Sequence, residues 1–195
     1  MMDNKSMDFS PEESLKVIRQ TIDAAKHEVQ ENGFYFLFWG ILVVIAGLAD
    51  FYQSWQLQSN VHAHYAWMVL PVAGVTGTIV YEMRRKRKPS ERNTFNQLYG
   101  MVWLGYGISL PLLVAYSIQA GMSPTPVILI MTGFAVFISG GVLHFRPVLY
   151  GAVVIWGGGM LTLFTPEIWQ SFIMAVAVGL GYLVPGYLLN RQKYQ

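Results

Sequence analysis

"YEMRRKRKPSER", residues 81–92, is the one dense charge run in this chain, and its reading decides the fold. Arg84, Arg85, Lys86, Arg87 and Lys88 are either a grip for nucleic acid or the marker that tells a membrane which side is which. The chain around them favours the second reading. Hydrophobic residues make up 53% of the 195 and charged residues 12%, where a soluble domain carries roughly 25% charged, so too few charges remain to cover a water-facing surface. No aromatic side chain lies between Arg84 and Arg92, as base stacking would require, and no nucleic-acid partner is expected.

Six apolar segments flank the run: 34–52, 66–83, 97–118, 125–144, 147–164 and 168–189. Each holds about 18–22 residues, enough at 1.5 Å per residue to cross a hydrocarbon core roughly 30 Å thick. The tightest connection is His144-Phe145-Arg146-Pro147, where Pro147 suits a helix start and Arg146 can reach lipid headgroups. The first apolar stretch begins only at Phe34, after a polar segment, so it is expected to stay in the chain as a helix rather than be cleaved as a signal.

Numbering the gaps alternately sorts the charges. One side collects Lys5, Lys16, Arg19, Lys26, the basic residues from Arg84 to Arg92, Arg146, Arg191 and Lys193, which are all 13 Lys and Arg of the chain. The other side, with the connections at 53–65, 120–124 and 165–167, has none. The positive-inside rule then makes the first side cytoplasmic, with both termini inside. The expected fold is all-α: a polytopic bundle of six transmembrane helices in three hairpins (34–190), preceded by a cytoplasmic segment (1–33) and followed by a short cytoplasmic tail (191–195). The lipid bilayer is its first partner.

The cytoplasmic segment carries its own signal. In SPEESLKVIRQTIDAAKHEVQE, residues 10–31, Ser10 and Glu13 form a capping box and Pro11 suits the first turn. Leu15, Ile18, Ile22, Ala25 and Val29 are spaced 3-4-3-4, which places them on one stripe of an amphipathic helix. Asn32-Gly33 then predicts a break. The stripe can pack under its own bundle or along the membrane, serve as a self-association seam or docking face for a cytoplasmic protein, or act as a membrane-surface sensor. Five acids against three Lys/Arg do not suit a helix that clings to anionic lipid.

Chemistry-bearing residues are sparse. The middle of every apolar segment lacks Asp, Glu, Lys, Arg and His, the usual marks of ion or proton paths. Asp50 and Glu167 fall on the side of His62 and His64, a ligand set in principle, but His-x-His in a loop is common, and an interfacial polar loop is the expected reading. Glu82 falls on the side of His144 and Arg146, where an ion pair closing a helix end is expected. No cysteine is present, and no catalytic motif, phosphate-binding loop or nucleophile–base pair is read. No enzyme activity, metal or cofactor is therefore expected.

Pro71, Pro111 and Pro185 interrupt three segments and free the carbonyls of Trp67, Gly107 and Gly181. Such carbonyls can line a polar site or permit a hinge. Tyr35-x3-Trp39 in the first segment is echoed by Tyr99-x3-Trp103 in the third, which suggests repeated hairpins. The Gly-rich six-segment plan, with FYFLFWGILVVIAGLA opening it, resembles the small bacterial inner-membrane proteins of the HdeD type, and SPEESLKVIRQ followed by FYFLFWG is similar to other bacterial membrane proteins of this length. The resemblance implies a six-span inner-membrane fold and an association with acid stress, and it carries over no functional residue. Two functions stand: a regulatory or assembly component that offers Leu15–Val29 to a partner or a second copy, and a small-solute transporter or substrate-binding membrane subunit.

Overall fold

The computed structural model describes residues 11–57, 65–84 and 94–191, with side chains described within 33–56, 67–84 and 98–191. Among these residues the chain is entirely helical. The elements are α1 (Pro11–Leu57), α2 (Tyr65–Arg84), α3 (Thr94–Gln119), α4 (Thr125–Val142), α5 (Arg146–Thr162), α6 (Glu167–Val178), a π-turn (Gly179–Leu183) and α7 (Val184–Arg191). The last three form one rod, so six rods stand where six apolar segments were read.

The break expected at Asn32-Gly33 does not occur. α1 runs through it as one helix of 47 residues, about 70 Å long. Gly33 serves a different purpose: it is buried, and a Cβ there would meet Leu189 Cβ at 3.3 Å and Asn190 N at 3.5 Å. The glycine lets α7 approach α1, and nothing forces the helix to end.

Four helical stretches are long and apolar enough to cross a membrane: Gly33–Gln56, Leu98–Gln119, Thr125–Val142 and Glu167–Arg191. This is the character of a multi-pass membrane protein. The other two rods are shorter or less apolar: α5 has 17 residues, about 26 Å and at the lower length limit for a span, and α2 carries Glu82 and Arg84 in its last turn.

The rods form an open arc in the order α2, α1, α6–α7, α5, α4, α3. α4 and α5 make the most extensive contact, while α2 packs chiefly on α1 and α3 chiefly on α4. Phe36, Leu129, Val136, Val148, Ile155, Met174 and Leu189 fill the centre. Bulky side chains such as Met68, Val72, Leu104, Leu112 and Val153 face outward, as lipid-facing surfaces do. Aromatic knobs enter glycine holes along the arc. The Trp39 ring covers Gly74, Phe38 covers Gly77 and Trp156 covers Gly133, each so closely that a Cβ would collide. Small residues allow this approach between membrane helices.

The α4–α5 turn is a Schellman cap. Phe145 N–H donates to Gly140 O (3.1 Å) and His144 N–H to Gly141 O (3.2 Å). His144 adopts φ 52°, the left-handed conformation such a cap demands. Pro147 lies in the first turn of α5, as its fixed φ favours.

Candidate functional site

The stripe residues Leu15, Ile18, Ile22, Ala25 and Val29 lie on α1, and their side chains are outside the described residues. So are Arg85, Lys86, Arg87, Lys88, His62 and His64. Arg84 is the exposed last residue of α2.

The acids named from sequence find partners that spacing did not foretell. Asp50 is 5% exposed and accepts a hydrogen bond from the Ser171 hydroxyl of α6. The close approach rests on Gly47, one turn away, where a Cβ would stand 2.9 Å from Ser171 O. A collar of rings surrounds this contact: Phe51 meets Trp169 at 5.1 Å and Phe172 at 5.3 Å, and Trp55 meets Trp169 at 5.7 Å. Glu167, one turn from Ser171, is exposed at the start of α6. At the far end of α2, Glu82 accepts from the Tyr35 hydroxyl, and Tyr81 stacks on Phe34 at 3.9 Å. His144 and Arg146 lie exposed in the α4–α5 turn. Among the described residues no three His, Cys, Asp or Glu side chains gather as a metal site would need.

Two polar groupings escaped the sequence reading because they are built from uncharged residues. One follows the inner face of α3. Tyr106 shares a 2.7 Å hydrogen bond with Thr132 of α4, Trp103 stands between Tyr99 and Tyr106 with ring centroids 6.1 and 5.4 Å away, and Tyr99 lies beside Ser139. Tyr182, delivered by the π-turn, packs on Phe36 at 5.2 Å.

The second grouping ties the α5–α6 turn to the α3–α4 turn. The Gln170 amide donates to Thr162 O (3.1 Å) and Thr165 O (3.0 Å), and its oxygen accepts from the Ser123 hydroxyl. Gln170 is buried, and a buried amide is stable only when its donors and acceptor are engaged. A glutamine placed three residues after a helix start was the available signal.

The π-turn follows from Pro185. With no N–H at 185, Gly181 O loses its α-helical donor, and the widened turn faces that carbonyl toward Gly151 of α5, where a Cβ would overlap it. Single π-turns inside α-helices are frequent at functional sites. No protein-family model, curated protein or solved structure matches the chain.

Proposed function

We propose that the chain is a non-catalytic regulatory or assembly component of a bacterial inner membrane. In this reading all six rods span, both termini are cytoplasmic, and the N-terminal part of α1 docks a cytoplasmic protein or a second copy. One observation carries the reading. α1 continues about 33 Å beyond its apolar stretch, counting the 22 residues 11–32 at 1.5 Å each, without a break. A rod fixed at Gly33 against α7 cannot swing freely. Whatever engages Leu15, Ile18, Ile22, Ala25 and Val29 is therefore mechanically joined to the membrane bundle. The partition of all 13 basic residues supports the orientation, and 17 residues in α5 meet the lower length limit for a span.

The test is a double substitution, Ile18→Glu with Ile22→Glu, in the full chain. Dimer or partner recovery after gentle solubilisation should disappear while membrane insertion persists, and unchanged recovery sinks the docking reading. Cysteines placed at Lys88 and at Gln119 should label from opposite sides of the membrane.

A second reading is transport or binding of a small neutral solute. The π-turn and the hydroxyl-lined inner face of α3 favour it, because uncharged donors and acceptors in the bundle suit an uncharged solute. Uptake into proteoliposomes across a solute panel tests this, and a null result with folded protein counts against it.

A further inference from the structure

A cleft of about 340 Å³ opens where α3 turns into α4 and α5 turns into α6. Its polar lining is Ser117, Ser123, Thr162, Glu167 and Gln170. Every side-chain proton these residues own is already spent inside the protein. Ser117 Oγ donates to Leu113 O (2.9 Å) and Thr162 Oγ1 to Gly159 O (2.7 Å). Ser123 Oγ donates to Gln170 Oε1, and the Gln170 amide donates to Thr162 O and Thr165 O. Ser123 Oγ, which also accepts from Thr125 N–H at 3.5 Å, keeps a lone pair, and the exposed Glu167 carboxylate adds further acceptors. The lining thus presents side-chain acceptors and no free side-chain donor.

Charge points the same way. No Lys, Arg or His lines the cleft, and the connections 120–124 and 165–167 contain none. The C-terminal ends of α3 and α5 and the N-terminal ends of α4 and α6 all meet here. Their dipoles oppose one another, which leaves the Glu167 carboxylate to set the sign. The size excludes a bare ion as the natural fit, being roughly ten times the ~30 Å³ share of one liquid water.

We infer that this cleft binds a primary ammonium group, a compact cation rich in N–H donors, with Glu167 as the counter-charge and the part-exposed Ser123 oxygen as an acceptor, while the buried Ser117 and Thr162 form its floor. The ammonium belongs either to a free amine or to the ethanolamine headgroup of a membrane lipid. The inference is independent of the docking reading, since it uses no residue before Gly33.

The full-length protein in phosphatidylcholine nanodiscs is titrated with ethylammonium at pH 7 and followed by saturation-transfer NMR. Ethylammonium should receive saturation, and Glu167→Gln should weaken its binding about ten-fold, as loss of one charge-assisted hydrogen bond implies. Glu167 is exposed, so the variant should keep the wild-type circular dichroism. Tetramethylammonium has the same charge and no N–H, and should not bind. Nanodiscs doped with phosphatidylethanolamine separate the two sources. Competition by that lipid assigns the headgroup, and its absence assigns a free amine; either supports the site. Equal binding of tetramethylammonium, an unchanged Glu167→Gln variant, or no saturation transfer in any disc overturns it.

Discussion

Gly151→Ala should loosen the bundle although it adds a single methyl group. Gly151 of α5 faces the π-turn, and an added Cβ would overlap Gly181 O and stand 3.0 Å from Pro185 Cγ and 3.2 Å from Gly181 C. These are backbone and ring atoms, with no rotamer that lets them step aside. Relief requires α5 and the rod to separate by about 1 Å, which forfeits a quarter to a half of each dispersion contact of ~0.1–0.2 kcal/mol. About twenty such pairs along Val148, Ala152, Tyr182 and Pro185 amount to about 0.5–2 kcal/mol. Against this, alanine gains up to ~1 kcal/mol of helix propensity. The net loss is up to about 2 kcal/mol, comparable to overpacked cores. Gly105→Ala on α3 is the control, because a Cβ there meets nothing within 4 Å, and it should gain up to ~1 kcal/mol. Reversible unfolding in mixed detergent–denaturant micelles, followed by far-UV circular dichroism, measures both. If Gly151→Ala is as stable as Gly105→Ala, the close approach of α5 to the π-turn is wrong.

Asp50→Ala and Ser171→Ala should each destabilise by about 1–3 kcal/mol, since each removes the buried hydrogen bond to a carboxylate, and the double variant should cost less than their sum. A double-mutant cycle with zero coupling would separate the two side chains. Gln170→Leu removes three hydrogen bonds at about 0.5–1.5 kcal/mol each; amide exchange of the α5–α6 turn should rise, and unaltered protection would count against the tie to Ser123. His144→Gly should stabilise by roughly 1 kcal/mol by relieving a left-handed non-glycine residue, while a loss of stability in the same unfolding titration would argue against the Schellman cap.

Much of the helical architecture was legible because lipid imposes a length on apolar segments. Each apolar segment lies in a helix, five of them with ends a few residues from those read while the first extends back to Pro11, and Pro147 lies in the first turn of α5 as its fixed φ suggested. The error at Asn32-Gly33 is instructive. A glycine can end a helix or admit a neighbour, and local sequence does not say which. Leu189 and Asn190, some 156 residues away in sequence, settle it at Gly33. The polar contacts were hidden for a related reason. Asp50–Ser171 and Ser123–Gln170 join residues 121 and 47 positions apart, and nothing in either local pattern names the partner. Charge patterning could find Asp50 and Glu167, and could not find Gln170, whose role depends on two carbonyls at the end of α5.

The three prolines make the same point in energetic terms. In sequence they are equivalent, each freeing a carbonyl four residues back. In the fold their surroundings diverge. Pro185 is buried, its helix widens into a π-turn, and Gly181 O is packed on Gly151. Pro111 and Gly107 are both exposed on α3, where a Cβ at 107 would find no neighbour. Pro71 is likewise exposed on α2. An uncovered carbonyl in hydrocarbon costs far more than one closed over by protein. The strain of proline is therefore absorbed where the rod crosses α5, while Pro111 with Gly107 stays exposed on α3 at one end of the arc. The two ends of the arc, each resting chiefly on one neighbour, are where a change in packing meets the least resistance from the rest of the bundle.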